Sequence, residues 1–249
     1  MNNYPHLDQH AVDGMMRLVK AMRHQTRNAE LELRFGVFCN GKFTAGVPHA
    51  FMDSLLTDFV ANDRAANGDW DVIQDFHYTQ GSDGRQVRAR ATYDTSTLSV
   101  TCTRCRKSKL DEVIIASNRA DGIAIRAVLS EEIPVEDDVA CVVVKTDLVR
   151  IRQRRRFYEG TARNWGYDLT YTWHGKNKTE AESNKELHAT VYEVELDLLR
   201  GQDNFQSNQS DECIALSALL KASNLLTTDA LCPSDELKLW LVPPRAPRP

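Results

Sequence analysis

Three alternating stretches carry residues that could do chemistry. In Val191-Tyr192-Glu193-Val194-Glu195-Leu196-Asp197-Leu198, a period of two puts Glu193, Glu195 and Asp197 on one face. Tyr192, Val194, Leu196 and Leu198 fall on the other. Carboxylates in such a row repel one another, so the row needs positive charge set against it. Near the N-terminus, Glu30, Glu32 and Arg34 alternate with Leu31, Leu33 and Phe35. A third stretch inverts the charge. Arg150, Arg152, Arg154 and Arg156 share a face opposite Val149, Ile151 and Phe157. Carboxylates hold hard cations such as Mg²⁺ or Mn²⁺. Arginines grip phosphate oxygens in bidentate fashion. A site with both suits a metal-bound polyphosphate.

The same alternation marks the elements that must position these groups. Arg88 and Arg90 oppose Val87, Ala89, Ala91 and Tyr93, while Asp168, Thr170 and Thr172 oppose Tyr167, Leu169, Tyr171 and Trp173. Strands are predicted at about 28–38, 70–79, 85–93, 98–107, 121–133, 140–158, 166–173 and 188–198. Gly81-Ser82-Asp83-Gly84 and Asp94-Thr95 supply turns, so antiparallel pairing is expected. Apolar residues at helical spacing predict helices over 8–24, 48–62 and 211–226, with Asp8 as an N-cap. The polar segments 62–69 and 174–187 read as loops, the second a mobile one.

Each strand has a charged face as consistent as its apolar face. A closed, eight-stranded antiparallel β-barrel of the α+β class, with a polar lumen and amphipathic helices over its apolar outside, satisfies both. The alternative is that opposite charges simply pair across a solvated sheet. The several charged rows on separate strands favour the barrel.

Composition bounds the rest. The chain has 249 residues, 42% hydrophobic, and a net charge of −4, which excludes coating nucleic acid by bulk positive charge. Residues 1–233 are expected to form one domain and 234–249 a mostly irregular tail, rich in proline from Pro243 onward. No apolar run approaches the ~20 residues of a membrane span. The six scattered cysteines follow no secretory signal and point to free thiols in a reducing compartment. Cys102 and Cys105 fall on opposite faces of a strand, which argues against zinc. The sequons at Asn177 and Asn208 carry no weight without secretion. No histidine has metal-ligand spacing, and Asp94 and Asp147 suit turns or local pairing.

Two segments carry a family resemblance. Glu30-Leu31-Glu32-Leu33-Arg34-Phe35-Gly36 resembles the first metal-binding motif of the triphosphate tunnel metalloenzymes, and Tyr192-Glu193-Val194-Glu195-Leu196-Asp197 the last. Within that superfamily the chain most resembles the fungal and protozoan mRNA-capping enzyme beta subunits, and its length the short trypanosomatid-like members. These are metal-dependent RNA 5′-triphosphatases.

The resemblance implies that Glu30, Glu32, Glu193, Glu195 and Asp197 hold Mg²⁺ or Mn²⁺. Asp197 stands where the family usually has glutamate, leaving open whether it or Glu193 and Glu195 dominate. It implies phosphate-binding roles for Arg90, Arg152 and Arg154, with Arg152 where lysine is common. Glu132 matches a glutamate that orients the attacking water, although as a lone residue it also reads as a loop carboxylate. Arg34, Arg88, Arg150, Arg156 and one of Lys107, Arg106 or Lys109 (Lys107 preferred) would bind substrate. Asp168 resembles a supporting acid.

The implied reaction removes the γ-phosphate from the 5′-triphosphate end of RNA, with nucleoside triphosphates as side substrates. A separate mRNA guanylyltransferase is the implied partner, and the nucleus the implied location; no membrane is involved. Two other readings stand beside it. One is a tunnel enzyme acting on inorganic triphosphate or another small triphosphate, which usually has lysine where Arg34 stands. The other is a non-catalytic polyanion-binding module, which would need the arginines but no acidic rows.

Overall fold

The structure, a computed structural model, describes residues 6–25, 28–62, 70–80, 85–94, 97–135, 146–158, 165–199, 209–228 and 236–243. The expected turn at 81–84, most of the loop at 62–69, the strand start at 140–145, Asn208, Cys141, Cys232 and the tail beyond 243 lie outside the described residues.

The strands close on themselves. In chain order they are β1 (Ala29–Cys39), β2 (Lys42–Ala45), β3 (Asp71–Gln80), β4 (Arg85–Asp94), β5 (Ser99–Ser117), β6 (Ile123–Pro134), β7 (Leu148–Tyr158), β8 (Trp165–Gly175), β9 (Val191–Leu198) and β10 (Leu239–Val242). Antiparallel pairing runs β1-β6-β5-β4-β3-β7-β8-β9 and returns to β1, an eight-stranded barrel. β2 continues β1 as a hairpin beyond the ring. β10 pairs with residues 114–117 of β5, past the end of β4. The alternation fixes which face points in, because a one-residue slip would turn every charge outward.

The helices cover the apolar outside. They are α1 (Gln9–Arg23), α2 (His49–Ala61), α3 (Lys178–Glu186) and α4 (Asp211–Leu226). One core joins Met15, Leu18 and Leu219 of the helices to Leu31, Leu33, Ile125, Leu129, Val194 and Leu196 of the strands. Phe59 of α2 packs edge-on against Phe157 and Tyr167. A smaller cluster under α3 contains Val149, Ile151, Trp173 and Ala181.

Three sequence expectations need correction. The 174–187 stretch expected to be a mobile loop contains α3. Asn177 caps it by accepting from the Glu180 N–H at 2.9 Å, and Glu180 accepts in return from the Lys176 N–H at 2.8 Å. Its buried face is only Ala181, packed on Gly175, so helical periodicity was invisible there. The boundary at 233 is too early, because Leu237 and Leu239 join the core and Leu239–Val242 is a strand. Asp8 occupies the N-cap position of α1, but its side chain makes no capping bond.

β5 runs on well past residue 107 and contains a bulge. Lys109 pairs with Ser130 and Asp111 with Leu129, leaving Leu110 as the extra residue. Lys107 and Lys109 therefore point inward before the bulge, while Val113 and Ile115 point out into the helix-covered core after it. Without the extra residue, a strand this long would present the wrong face at one end. Deleting Leu110 should therefore abolish cooperative urea unfolding, whereas Leu110→Ala, which keeps the residue count, should leave it. A cooperative transition in the deletion variant would show that the bulge does not set this strand.

Candidate active site

The barrel encloses a cavity of about 490 Å³. Eight carboxylates and eight cationic side chains line it. All fifteen site residues expected from sequence are among them: Glu30, Glu32, Arg34, Arg88, Arg90, Lys107, Glu132, Arg150, Arg152, Arg154, Arg156, Asp168, Glu193, Glu195 and Asp197. The register settles the open choice on β5. Lys107 faces this cavity opposite Glu132, Lys109 faces a second one, and Arg106 lines neither. The sixteenth charge, Asp75 of β3, escaped the sequence reading. It shares its strand's inner face with Asp71 at the strand's start, but Ile73 and His77 flank it, so no continuous charged row marked it.

Asp75 is only 1% exposed and anchors two strands' arginines. Its Oδ1 accepts from Arg90 Nε at 2.7 Å, and its Oδ2 lies 2.7 Å from Arg152 Nη2. Arg152 is 7% exposed, and neither its Nε nor its Nη2 has a directed hydrogen-bond partner among the described residues. Its contact with Asp75 is therefore one of charge, and both nitrogens are buried from solvent. Arg150 has no carboxylate partner among the described residues, and its Nε is likewise unsatisfied. Arg156 is held instead, donating to both oxygens of Asp168 at 2.5 and 2.6 Å and to Asp197 at 2.7 Å. Arg154 sits 3.3 Å from Asp71 and 3.4 Å from Asp168. Asp168, with both oxygens committed, positions arginines.

The acidic side is assembled by β1, β6 and β9. Register places Glu32 opposite Asp197 and Arg34 opposite Glu195. Arg34 Nε donates to Glu32 at 2.8 Å and lies 3.3 Å from Glu195. Lys107 Nζ lies 3.1 Å from Glu30, 3.0 Å from Glu132 and 3.6 Å from Glu32. Arg88 donates to Glu132 at 2.6 Å and to Cys105 Sγ at 3.2 Å. Cys105 faces the lumen and Cys102 is exposed, so the CxxC pair does not converge. Thr172 donates to Glu193 at 2.6 Å.

This geometry divides the carboxylates. Burial pushes Glu32 up, but Arg34 and Lys107 outweigh it and hold its pKa at about 2. Burial opposes the ionised form of Glu132 as well, yet Lys107 and Arg88 hold it at about 2. Glu195 is raised well above the usual range, by burial first and then by the Glu32 charge. Asp197 is raised by burial, then by Asp168 and Glu32, against the pull of Arg156. The Glu32–Glu195–Asp197 corner thus holds more carboxylate than its cations neutralise.

Among the described residues, no three candidate ligands already meet as a metal cage. The donor set nonetheless fits a hard divalent cation. It is all oxygen and it is crowded, with Glu32 of β1 in register with Asp197 of β9 and Glu195 two residues along the same strand.

No protein-family profile matches the sequence, and no curated protein sequence does. Solved structures do match in fold. The RNA triphosphatase Pct1 of S. pombe superposes with a TM-score of 0.57 at 14% identity, over 88% of this chain and 93% of that one. The Mimivirus capping enzyme triphosphatase superposes with a TM-score of 0.51 at 12% identity, over 89% of this chain and 99% of that one. At such identities the likeness establishes the tunnel-barrel fold, which matches the expected fold class.

Two predictions follow from the buried charges. Asp75→Ala should lower unfolding stability by about 3–5 kcal/mol, because Arg90 and Arg152 lose their shared counter-charge inside the barrel. A loss under about 1 kcal/mol in urea titration would mean the pair is solvated. His77 is depressed to about 4, by burial and then by Arg150. The unfolded chain therefore binds a proton there from about pH 6.5, while the folded one resists until about pH 4. His77 thus contributes stability above its unfolded pKa, which is lost as pH falls through this window. His77→Gln should flatten the fall in stability across that window; an unchanged slope would assign it to other groups.

Proposed function

We propose that this chain is a divalent-metal-dependent RNA 5′-triphosphatase, which converts a triphosphate RNA end into the diphosphate end used for cap formation. The observation that carries the reading is the closed lumen in which facing walls hold cationic side chains and carboxylates in equal number. Phosphoryl transfer demands little covalent help from the protein, so positioning and charge neutralisation are the main requirements.

The chain's own groups divide the work. Arg150 and Arg152, which line the lumen, grip the γ-phosphate oxygens. Asp75 fixes Arg90 and Arg152 so that both point the same way. Arg154 and Arg156, backed by Asp168, take the next phosphate. Arg34 and Lys107 keep Glu32 ionised. A divalent cation bound by Glu32, Glu195 and a further carboxylate of β9, Glu193 or Asp197, would neutralise charge developing on the phosphate oxygens.

Glu132 has one oxygen clamped by Arg88 and Lys107, while the other accepts from Cys105 Sγ at 3.7 Å. Its pKa of about 2 makes it a weak base, so it serves to orient water more than to take its proton. The water oxygen forms a bond to the γ-phosphorus. The bond from that phosphorus to the β–γ bridging oxygen breaks, and its electron pair stays on the β-phosphate. The water proton passes to the departing phosphate or to solvent.

A cavity of about 490 Å³ accepts a triphosphate but little of the RNA body. This size also favours a second reading, hydrolysis of free nucleoside triphosphates or inorganic triphosphate in the same site. By the same proposal the protein acts in the nucleus beside a separate guanylyltransferase.

The test is phosphate release from γ-labelled triphosphate RNA with Mg²⁺, Mn²⁺ or chelator. Release should require metal and fall at least a hundredfold in Glu32→Ala, about 2.7 kcal/mol of transition-state stabilisation. Arg152→Lys should fall less than Arg152→Ala, since it keeps the charge without the fork. No release from folded protein with any metal would sink the reading. Faster turnover of inorganic triphosphate than of RNA would select the second.

A further inference from the structure

The lumen continues beyond the candidate site. A second cavity of about 250 Å³ adjoins the first across Glu32, Arg34, Arg88, Lys107 and Arg150. Its own polar walls are His77, Gln86, Lys109, Arg126 and Ser130. The two chambers differ in charge. Carboxylates and cations are equal in the first, but six cations and one carboxylate line the second.

Carboxylates behind the walls do not restore the balance. Glu112 serves both Lys109, at 2.8 Å, and Arg126, at 2.6 Å, so one acid faces two cations. Glu132 is shared by Arg88 and Lys107, Glu30 also contacts Lys107, and Glu32 and Glu195 lie beside Arg34, so five carboxylates stand against six cations. Arg150 adds a charge with no acidic partner among the described residues.

The polar groups here also share one sense. Ser130 is 1% exposed, and its Oγ has no hydrogen-bond partner among the described residues. Among the described residues, His77 Nε2 and Arg150 Nε are buried and unpartnered too. The hydroxyl, the imidazole nitrogen when it carries the ring proton, and the guanidinium nitrogen can each donate. Buried donors without acceptors call for an acceptor-only ligand, and excess positive charge calls for an anion. A tetrahedral oxyanion meets both demands.

We propose that this second chamber is an orthophosphate site, through which the phosphate released in the first chamber leaves. Its role as an exit rests on the triphosphatase reading, because orthophosphate is that reaction's product; the oxyanion site itself rests on the cavity. The diphosphate-ended RNA still fills the first mouth after cleavage. The more positive chamber beyond Arg34 and Lys107 gives the small product its own route out.

The test titrates sodium orthophosphate into the full chain by calorimetry, with Mg²⁺ and a non-hydrolysable imidotriphosphate filling the first chamber. Phosphate should still bind. Lys109→Ala and Arg126→Ala should each weaken that binding about tenfold or more, the loss of one charge-assisted contact. Ser130→Val should weaken it with no charge change, and Lys109→Arg should retain it. Circular dichroism checks that each variant is folded. In the steady state, phosphate should inhibit RNA turnover noncompetitively, and the two alanine variants should lose that inhibition.

Loss of phosphate binding when the analogue is present, or variants that bind as the wild type does, would overturn the site. Competitive inhibition by phosphate would overturn its role as an exit. Phosphate binding that follows these variants in a chain with no triphosphatase activity would keep the oxyanion site and reject the reaction.

Discussion

Sixteen ionisable side chains meet inside one closed barrel, and each needs a counter-charge there. Water solvates few of them fully, and an unpaired charge in such a place is costly. The lumen therefore behaves as one electrostatic unit. Asp75 joins β3 to β4 and β7, Lys107 joins β5 to β1 and β6, and Arg156 joins β7 to β8 and β9. These bonds tie the same strands that the backbone ladder ties. They also aim the arginines inward without saturating Arg150 or Arg152.

This inside-out polarity explains the outer architecture. Apolar strand faces that would fill a sandwich core point outward here, so helices must cover them. α1, α2 and α4 build one core with the strands, and α3 caps a smaller one at β7 and β8. The bulge at Leu110 lets a single long strand serve two surroundings, carrying lysines into the lumen below and Val113 and Ile115 into the core above.

The barrel and most of the site were legible because period-two alternation carries both faces of a strand at once. Glu193, Glu195 and Asp197 could be placed together from eight residues of sequence, as could the arginines of 150–156. Asp75 could not, because apolar Ile73 separates it from Asp71 and the two form no row, and its meaning comes from strands that the sequence does not join. Lys107 was preferred over Arg106 and Lys109, but spacing alone left the choice open until the register with Glu132 and Ser130 was fixed. α3 hid because it buries little, although Asn177 and Glu180 carried a capping signature that could have revealed it. β10 is too short for any period to emerge.

Equal numbers of carboxylates and cations have a consequence for ligands. A triphosphate entering alone would upset the balance, whereas one arriving with a divalent cation disturbs it far less. The most direct measurement is the affinity of the wild-type chain for imidotriphosphate, by calorimetry, with Mn²⁺ and with chelator. The account predicts binding that is much tighter with the metal, and a metal advantage that shrinks when Glu32 is replaced by glutamine. Equal affinity with and without metal would contradict it, and would make the lumen a site for bare anions.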